Sequence, residues 1–141
     1  MTRIFWDTML FIYLFQADAQ FGDRVAYLRR RSQERGDEIC TSALALGEIL
    51  AGVLRDKSSA EAARVRAGIQ SAGVRILPFD ASAADTFGRI RVKHRTSAAD
   101  SIHLACAAAA GIDLFLTGDK NLTKLHIPGI KFIDGLDTGL L

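Results

Sequence analysis

Residues 97–119 read SAADSIHLACAAAAGIDLFLTGD, a helix, a turn and a strand in succession. Ser97 is a helix-opening residue, the alanine-rich run after it favours helix, and Gly111 supplies the stop. Asp113–Thr117 (DLFLT) is a short apolar strand bounded by turn residues. A tight turn at Gly111 makes helix and strand antiparallel. From Asp100 to Gly111 the helix rises roughly 16 Å at about 1.5 Å per residue. From Asp113 to Asp119 the strand climbs roughly 20 Å at about 3.3 Å per residue. The near match brings Asp100 level with Asp119.

The same alternation continues on the N-terminal side. Arg3–Trp6 reads as a strand followed by a short apolar helix over Met9–Phe15, and Asp23 is placed to cap a basic helix through Arg35. Glu38–Thr41 is a second strand, and Ser42 can cap the helix Ala43–Arg55. Ser59–Ala72 carries an apolar stripe of Ala62, Val65 and Ile69 and stops at Gly73. Val74–Leu77 is a third strand. Asp80 or Ser82 caps a helix whose buried stripe is Ala83, Phe87 and Ile90. Lys131–Ile133 adds a fifth strand to the four. Strands alternating with helices predict an α/β fold whose mostly parallel sheet of four or five strands is covered on both faces. Ligands of such folds bind beyond the carboxyl ends of the strands.

Composition narrows the class. The 141 residues are 49% hydrophobic and 24% charged, which fits one globular domain with a substantial core. A formal net charge of +2 gives no global field for a polyanion, so any such binding rests on local charge. Cys40 and Cys106 lack CxxC spacing and read as small core residues in a reducing compartment. The apolar stretch Ile4–Phe15 is too short to span a bilayer and lacks the flanks of a signal peptide. The expectation is a cytoplasmic protein with no membrane association.

Four carboxylates stand alone within apolar stretches. Asp7 is the only charge in Ile4–Phe15, Glu48 the only one in Ala43–Leu54, and Asp100 the only formal charge in Ser97–Ile112. Asp119 closes the apolar run Leu114–Leu116 through Thr117-Gly118. An isolated carboxylate taken out of water costs several kcal/mol or is driven neutral. Two about 4 Å apart repel by roughly 4 kcal/mol at an effective dielectric near 20. Convergence on a hard divalent cation, Mg²⁺ or Mn²⁺, relieves both costs. Such an ion lowers the pKa of a bound water and braces charge on a phosphoryl oxygen, chemistry suited to phosphodiester hydrolysis. Taken singly, Asp100 is also an ordinary first-turn acid and Asp119 an ordinary turn residue; the joint pattern carries the reading.

DTMLFIYLF, TSALALGEILAG, AADSIHLACAAAAG and LFLTGDKNL together resemble the successive motifs of the PIN-domain family, most of all its VapC-type toxin ribonucleases. The likeness spans essentially the whole chain, in order. It implies a single PIN-like domain over 1–141, a three-layer α/β/α sandwich, and a Mg²⁺- or Mn²⁺-dependent endoribonuclease. The family's catalytic, metal-binding acids fall on Asp7, Glu48, Asp100 and Asp119. Its hydroxyl before the last acid falls on Thr117, which orients a carboxylate or a bound water. One departure is Met9, where the family often has a small polar residue two positions after the first acid.

The resemblance also implies an RNA substrate and a cognate antitoxin. Arg89, Arg91, Lys93 and Arg95 precede Asp100 and are candidates for phosphate contacts; they equally suit a solvated helix end. His94, His103 and His126 have no metal-ligand spacing, though His103 falls near Asp100 on its helix. Leu10–Phe15 is apolar nearly all round, and with Leu50, Val53 and Leu54 predicts a patch for a partner helix or a homodimer. A PIN-like scaffold without turnover is the alternative. Other phosphoryl-transfer classes are disfavoured by the lack of GxxxxGK[ST], and nucleophilic catalysis by the lack of GxSxG.

Overall fold

The computed structural model describes residues 2–141, so Met1 of the expected 1–141 domain lies outside it. Five strands alternate with six helices: β1 Arg3–Trp6, α1 Thr8–Phe15, α2 Gly22–Arg35, β2 Glu38–Ser42, α3 Ala43–Asp56, α4 Ser59–Ser71, β3 Arg75–Leu77, α5 Ala81–Lys93, α6 Ala98–Ala110, β4 Ile112–Leu116 and β5 Ile130–Asp134. A 3-10 turn, Leu122–Lys124, lies between β4 and β5. The strands form one sheet in the order β3-β2-β1-β4-β5, every pair parallel. The fifth strand is longer than the sequence reading had it, Ile130–Asp134 against Lys131–Ile133.

Period-two alternation splits the apolar strands between two cores. Phe5 and Phe115 stack at 4.5 Å on one face, packed with Cys40, Leu77, and Leu104–Ala107 of α6. Ile4, Trp6, Leu114 and Leu116 point to the other face, against Leu10 and Phe11 of α1, Val25 and Leu28 of α2, Ile49 of α3 and Ile69 of α4. Helices therefore cover both faces, which makes the three layers. Cys40 and Cys106 are buried free thiols, pushed up to about 12 and about 11 by that burial. Among the described residues, no helix is long and apolar enough to cross a membrane.

The local signals act where the sequence placed them, with one exception. Ser42 Oγ accepts from the Ala45 N–H, Asp80 Oδ1 from Ala83 and Ser97 Oγ from Asp100, so each caps its helix. Gly111 ends α6 at φ 72°, a left-handed value an L side chain resists. Asp23 does not cap α2. That helix starts at Gly22 without a side-chain cap, and the turn before it is closed by Asp18 Oδ2, which accepts from Gln20 and Phe21. A side chain on Gly22 would lie 3.0 Å from the Ala17 carbonyl carbon, and this close approach of α2's first turn sets where the helix begins.

The chain runs outward from β1 through β2 to β3, then returns to the other side of β1 with β4 and β5. The connections leaving β1 and β4 therefore part in opposite directions. Such a switch point leaves a crevice beyond the carboxyl ends of the two strands. Asp7 directly follows β1, and Thr117–Asp119 directly follows β4.

Candidate active site

Asp7 is fixed from both sides. Its backbone N–H continues the β1–β4 ladder by donating to the Leu116 carbonyl at 3.0 Å. Its side chain caps α1, Oδ1 accepting from the Thr8 N–H at 2.8 Å, which sets a carboxylate at the positive end of a helix. Oδ2 accepts from the hydroxyl of Thr117 at 2.7 Å. Thr117 is fully buried, and its Oγ1 also accepts from the Asp119 N–H at 3.1 Å. One hydroxyl thus ties the acid after β1 to the acid after β4. Asp119 is further ordered by Oδ1 accepting from the Asn121 N–H at 2.9 Å.

Asp100 sits in the first turn of α6. Burial pushes its carboxyl above the usual carboxylate range. The Ser97 hydrogen bond pulls it down, the charges of Asp7 and Asp119 push it up again, and His103 pulls it down. Three of the four acids therefore share one electrostatic neighbourhood.

Glu48 joins by another route. Its Oε1 accepts from the Thr8 hydroxyl at 2.8 Å and from His103 Nε2 at 2.9 Å. His103 is 3% exposed, and its Nδ1 lies 2.7 Å from Ser42 Oγ. Ser42 Oγ also accepts from the Ala45 N–H, so the ring bridges Ser42 and Glu48, with Nε2–H donating to the carboxylate. This relay crosses from the β2–α3 junction through α6 to α3. Thr8 and His103 are the residues that sequence reasoning did not assign to Glu48. The available signal was His103 three residues after Asp100 on one helix face. Met9, the departure from the family pattern, is 42% exposed, and Thr8 beside it supplies a hydroxyl.

The basic run is arranged differently. Arg89 pairs with Asp85 at 3.2 Å on its own helix, and Arg91 donates to the Thr96 carbonyl. Lys93 and Arg95 are exposed. Among the described residues, none of these four pairs with Asp7, Glu48, Asp100 or Asp119.

Among the described residues, no three His, Cys, Asp or Glu side chains are grouped closely enough to hold a metal ion as they are oriented. The donor chemistry of the acids nonetheless fits a hard divalent cation. They offer carboxylate oxygens, and the mutual repulsion felt at Asp100 is what such a cation relieves.

An α/β/α sandwich with acids at the β1–β4 switch point is the architecture of a PIN domain. Residues 4–127 match that family, and the chain belongs to it. No curated protein matches by sequence. Among solved structures, VapBC2 of Rickettsia felis, bound to a fragment of promoter DNA, superposes with a TM-score of 0.75 at 16% identity, covering 95% of this chain and 98% of that one. DNA-bound VapBC of Salmonella typhimurium gives 0.75 at 20% identity, over 96% and 99%. VapC20 of Mycobacterium tuberculosis, a toxin that cleaves the sarcin-ricin loop, gives 0.65 at 21% identity, over 87% and 96%. At these identities the likeness is one of fold.

Proposed function

We propose that this PIN domain is a metal-dependent endoribonuclease, the toxin of a toxin–antitoxin pair, acting in the cytoplasm. The observation that carries the reading is the junction of Asp7, Thr117 and Asp119 at the switch point, with Asp100 in the same field. The VapBC neighbours support the toxin assignment through their shared fold, and VapC20 supports RNA as the substrate class.

In this reading Asp7, Asp100 and Asp119 hold Mg²⁺ or Mn²⁺, directly or through water, with Glu48 at the edge of the site. When bound, the ion lowers the pKa of a ligated water and stabilises charge on the phosphoryl oxygens. The protein's part is orientation. Thr117 fixes one oxygen of Asp7 and the Thr8 amide the other, so the carboxylate is held in one setting. Glu48 spends Oε1 on Thr8 and His103, and Oε2 is left to accept a proton from the attacking water. Asp100 lies in the first turn of α6, where the helix dipole offsets part of the cost of its charge.

The apolar surface of α1 and α3 is the proposed seat of the antitoxin, or of a second copy in a homodimer. Met9, Phe15 and Leu54 are 42%, 47% and 53% exposed, and a groove of about 340 Å³ runs between Ile12, Phe15, Ile49 and Val53.

The test is cleavage of RNA by the purified chain freed of any partner. Mg²⁺ or Mn²⁺ should support cutting, EDTA should stop it, and Asp7→Asn and Asp100→Asn should abolish it in folded protein. Cleavage by both variants at the native rate would reject the site. Absence of cleavage of any RNA, with metal bound weakly, would favour the scaffold alternative.

A further inference from the structure

We infer that the pocket beside Thr117–Asp119 seats one base of the RNA, next to the phosphate being cut; this rests on the nuclease reading above. The pocket has a volume of about 520 Å³ and is lined in part by Thr117, which bonds Asp7, and by Gly118, the residue before Asp119. That size lies within the range of small-ligand sites, ample for a nucleoside.

Its chemistry matches a nucleotide part by part. One wall is the ring pair Tyr13–Phe21, centroids 4.9 Å apart and tilted by 39°, both half-buried. An aromatic wall accepts any base through its π-face. The lining also includes Lys120 and Lys124, both exposed. Among the described residues neither lysine has an ion-pair partner, unlike Arg89, so both are available to phosphates flanking the cut. Asp137 adds an exposed acceptor that suits the exocyclic amine of cytosine or adenine better than a uracil carbonyl. Arg24 holds the segment bearing Asp137 in place, donating to the carbonyls of Leu136 at 2.6 Å and Thr138 at 2.9 Å.

Gly118 lines the pocket directly before Asp119. A Cβ there would stand 3.8 Å from the Tyr13 hydroxyl, in ordinary van der Waals contact with the aromatic wall. The pocket and Asp119 are therefore neighbours along the chain.

The test uses 2-aminopurine, whose fluorescence falls on stacking, placed at successive positions of a short single-stranded RNA. The full chain carrying Asp7→Asn serves to bind without cutting. Quenching confined to one position adjoining the cut is the expected result. Tyr13→Leu with Phe21→Leu should remove it and raise KM about tenfold with kcat within about twofold, whereas Tyr13→Phe keeps it. Lys120→Ala with Lys124→Ala, both on the surface, should raise KM and lower the salt slope of binding by about two. A chain that cuts RNA yet quenches no position, or whose double-lysine variant keeps its KM, overturns the seat and leaves the nuclease reading intact. Quenching that obeys these variants in a chain that cuts nothing supports the seat and removes the nuclease reading.

Discussion

Asp7 and Glu48 are held in contrasting ways. Asp7 hangs on backbone: a sheet hydrogen bond to Leu116, a helix cap at Thr8, and one buried hydroxyl from the neighbouring strand's end. Glu48 hangs on side chains alone, through Thr8 and through a relay of His103 and Ser42 that spans three elements. Strand ends are positioned by the sheet, whose ladder fixes every residue along it. A side chain within a helix is positioned only by what it touches. The Asp7 half of the site should therefore tolerate little change in the acid itself, and the Glu48 half should respond to changes in residues that never meet the substrate.

That contrast can be broken experimentally. The largest effect is expected at the acids: Asp7→Asn should lower RNA cleavage by at least ~100-fold while far-UV circular dichroism stays native. His103→Ala should come next. It removes the histidine partner of the Ser42 hydroxyl and leaves a void in a buried position, for ~2–3 kcal/mol of stability by denaturant titration. Because Glu48 loses its orientation, kcat should fall about tenfold with KM little changed; an equal rise in KM would show that His103 serves binding. Thr117→Val keeps the shape and deletes the hydroxyl, with an expected cost of about 1–2 kcal/mol; Thr117→Ser should recover most of it. If Thr117→Val leaves cleavage intact, the tie between Asp7 and Asp119 is not needed for catalysis.

Asp100→Asn has the opposite sign on stability. A carboxyl whose folded pKa is raised contributes stability below its unfolded value, near pH 4, and loses it as pH rises through the folded pKa. At pH 7 without metal a charge on Asp100 is a burden on the fold, so the asparagine variant should melt higher. The gap should close below about pH 4. Added Mn²⁺ should raise the melting temperature of the native chain more than that of the variant. A native chain that outlasts Asp100→Asn at pH 7 without metal would contradict the shared field. Smallest of all, Arg89→Ala removes an exposed pair with Asp85 and should alter stability by less than about 0.5 kcal/mol.

The helix starts at Ser42 and Ser97, the stop at Gly111 and the acids after the strands, Asp7 and Asp119, were legible in the chain because each depends on neighbours a few residues away; between Asp80 and Ser82 the fold chose Asp80. So was the layered fold, since the apolar runs alternate in kind along the sequence. Where local signals competed, the reading failed. Asp23 looked like a cap, yet the close packing of Gly22 on Ala17 and the turn at Asp18 set the start of α2. Thr8, beside the departure at Met9, bonds Glu48 and joins residues 40 apart. The tie of Thr117 to Asp7 spans 110 positions and the His103 contact 55. Sequence decides what can be settled by a turn of helix or an alternating strand. Which oxygen receives which proton across such separations depends on how the layers come together, and only the assembled fold decides it.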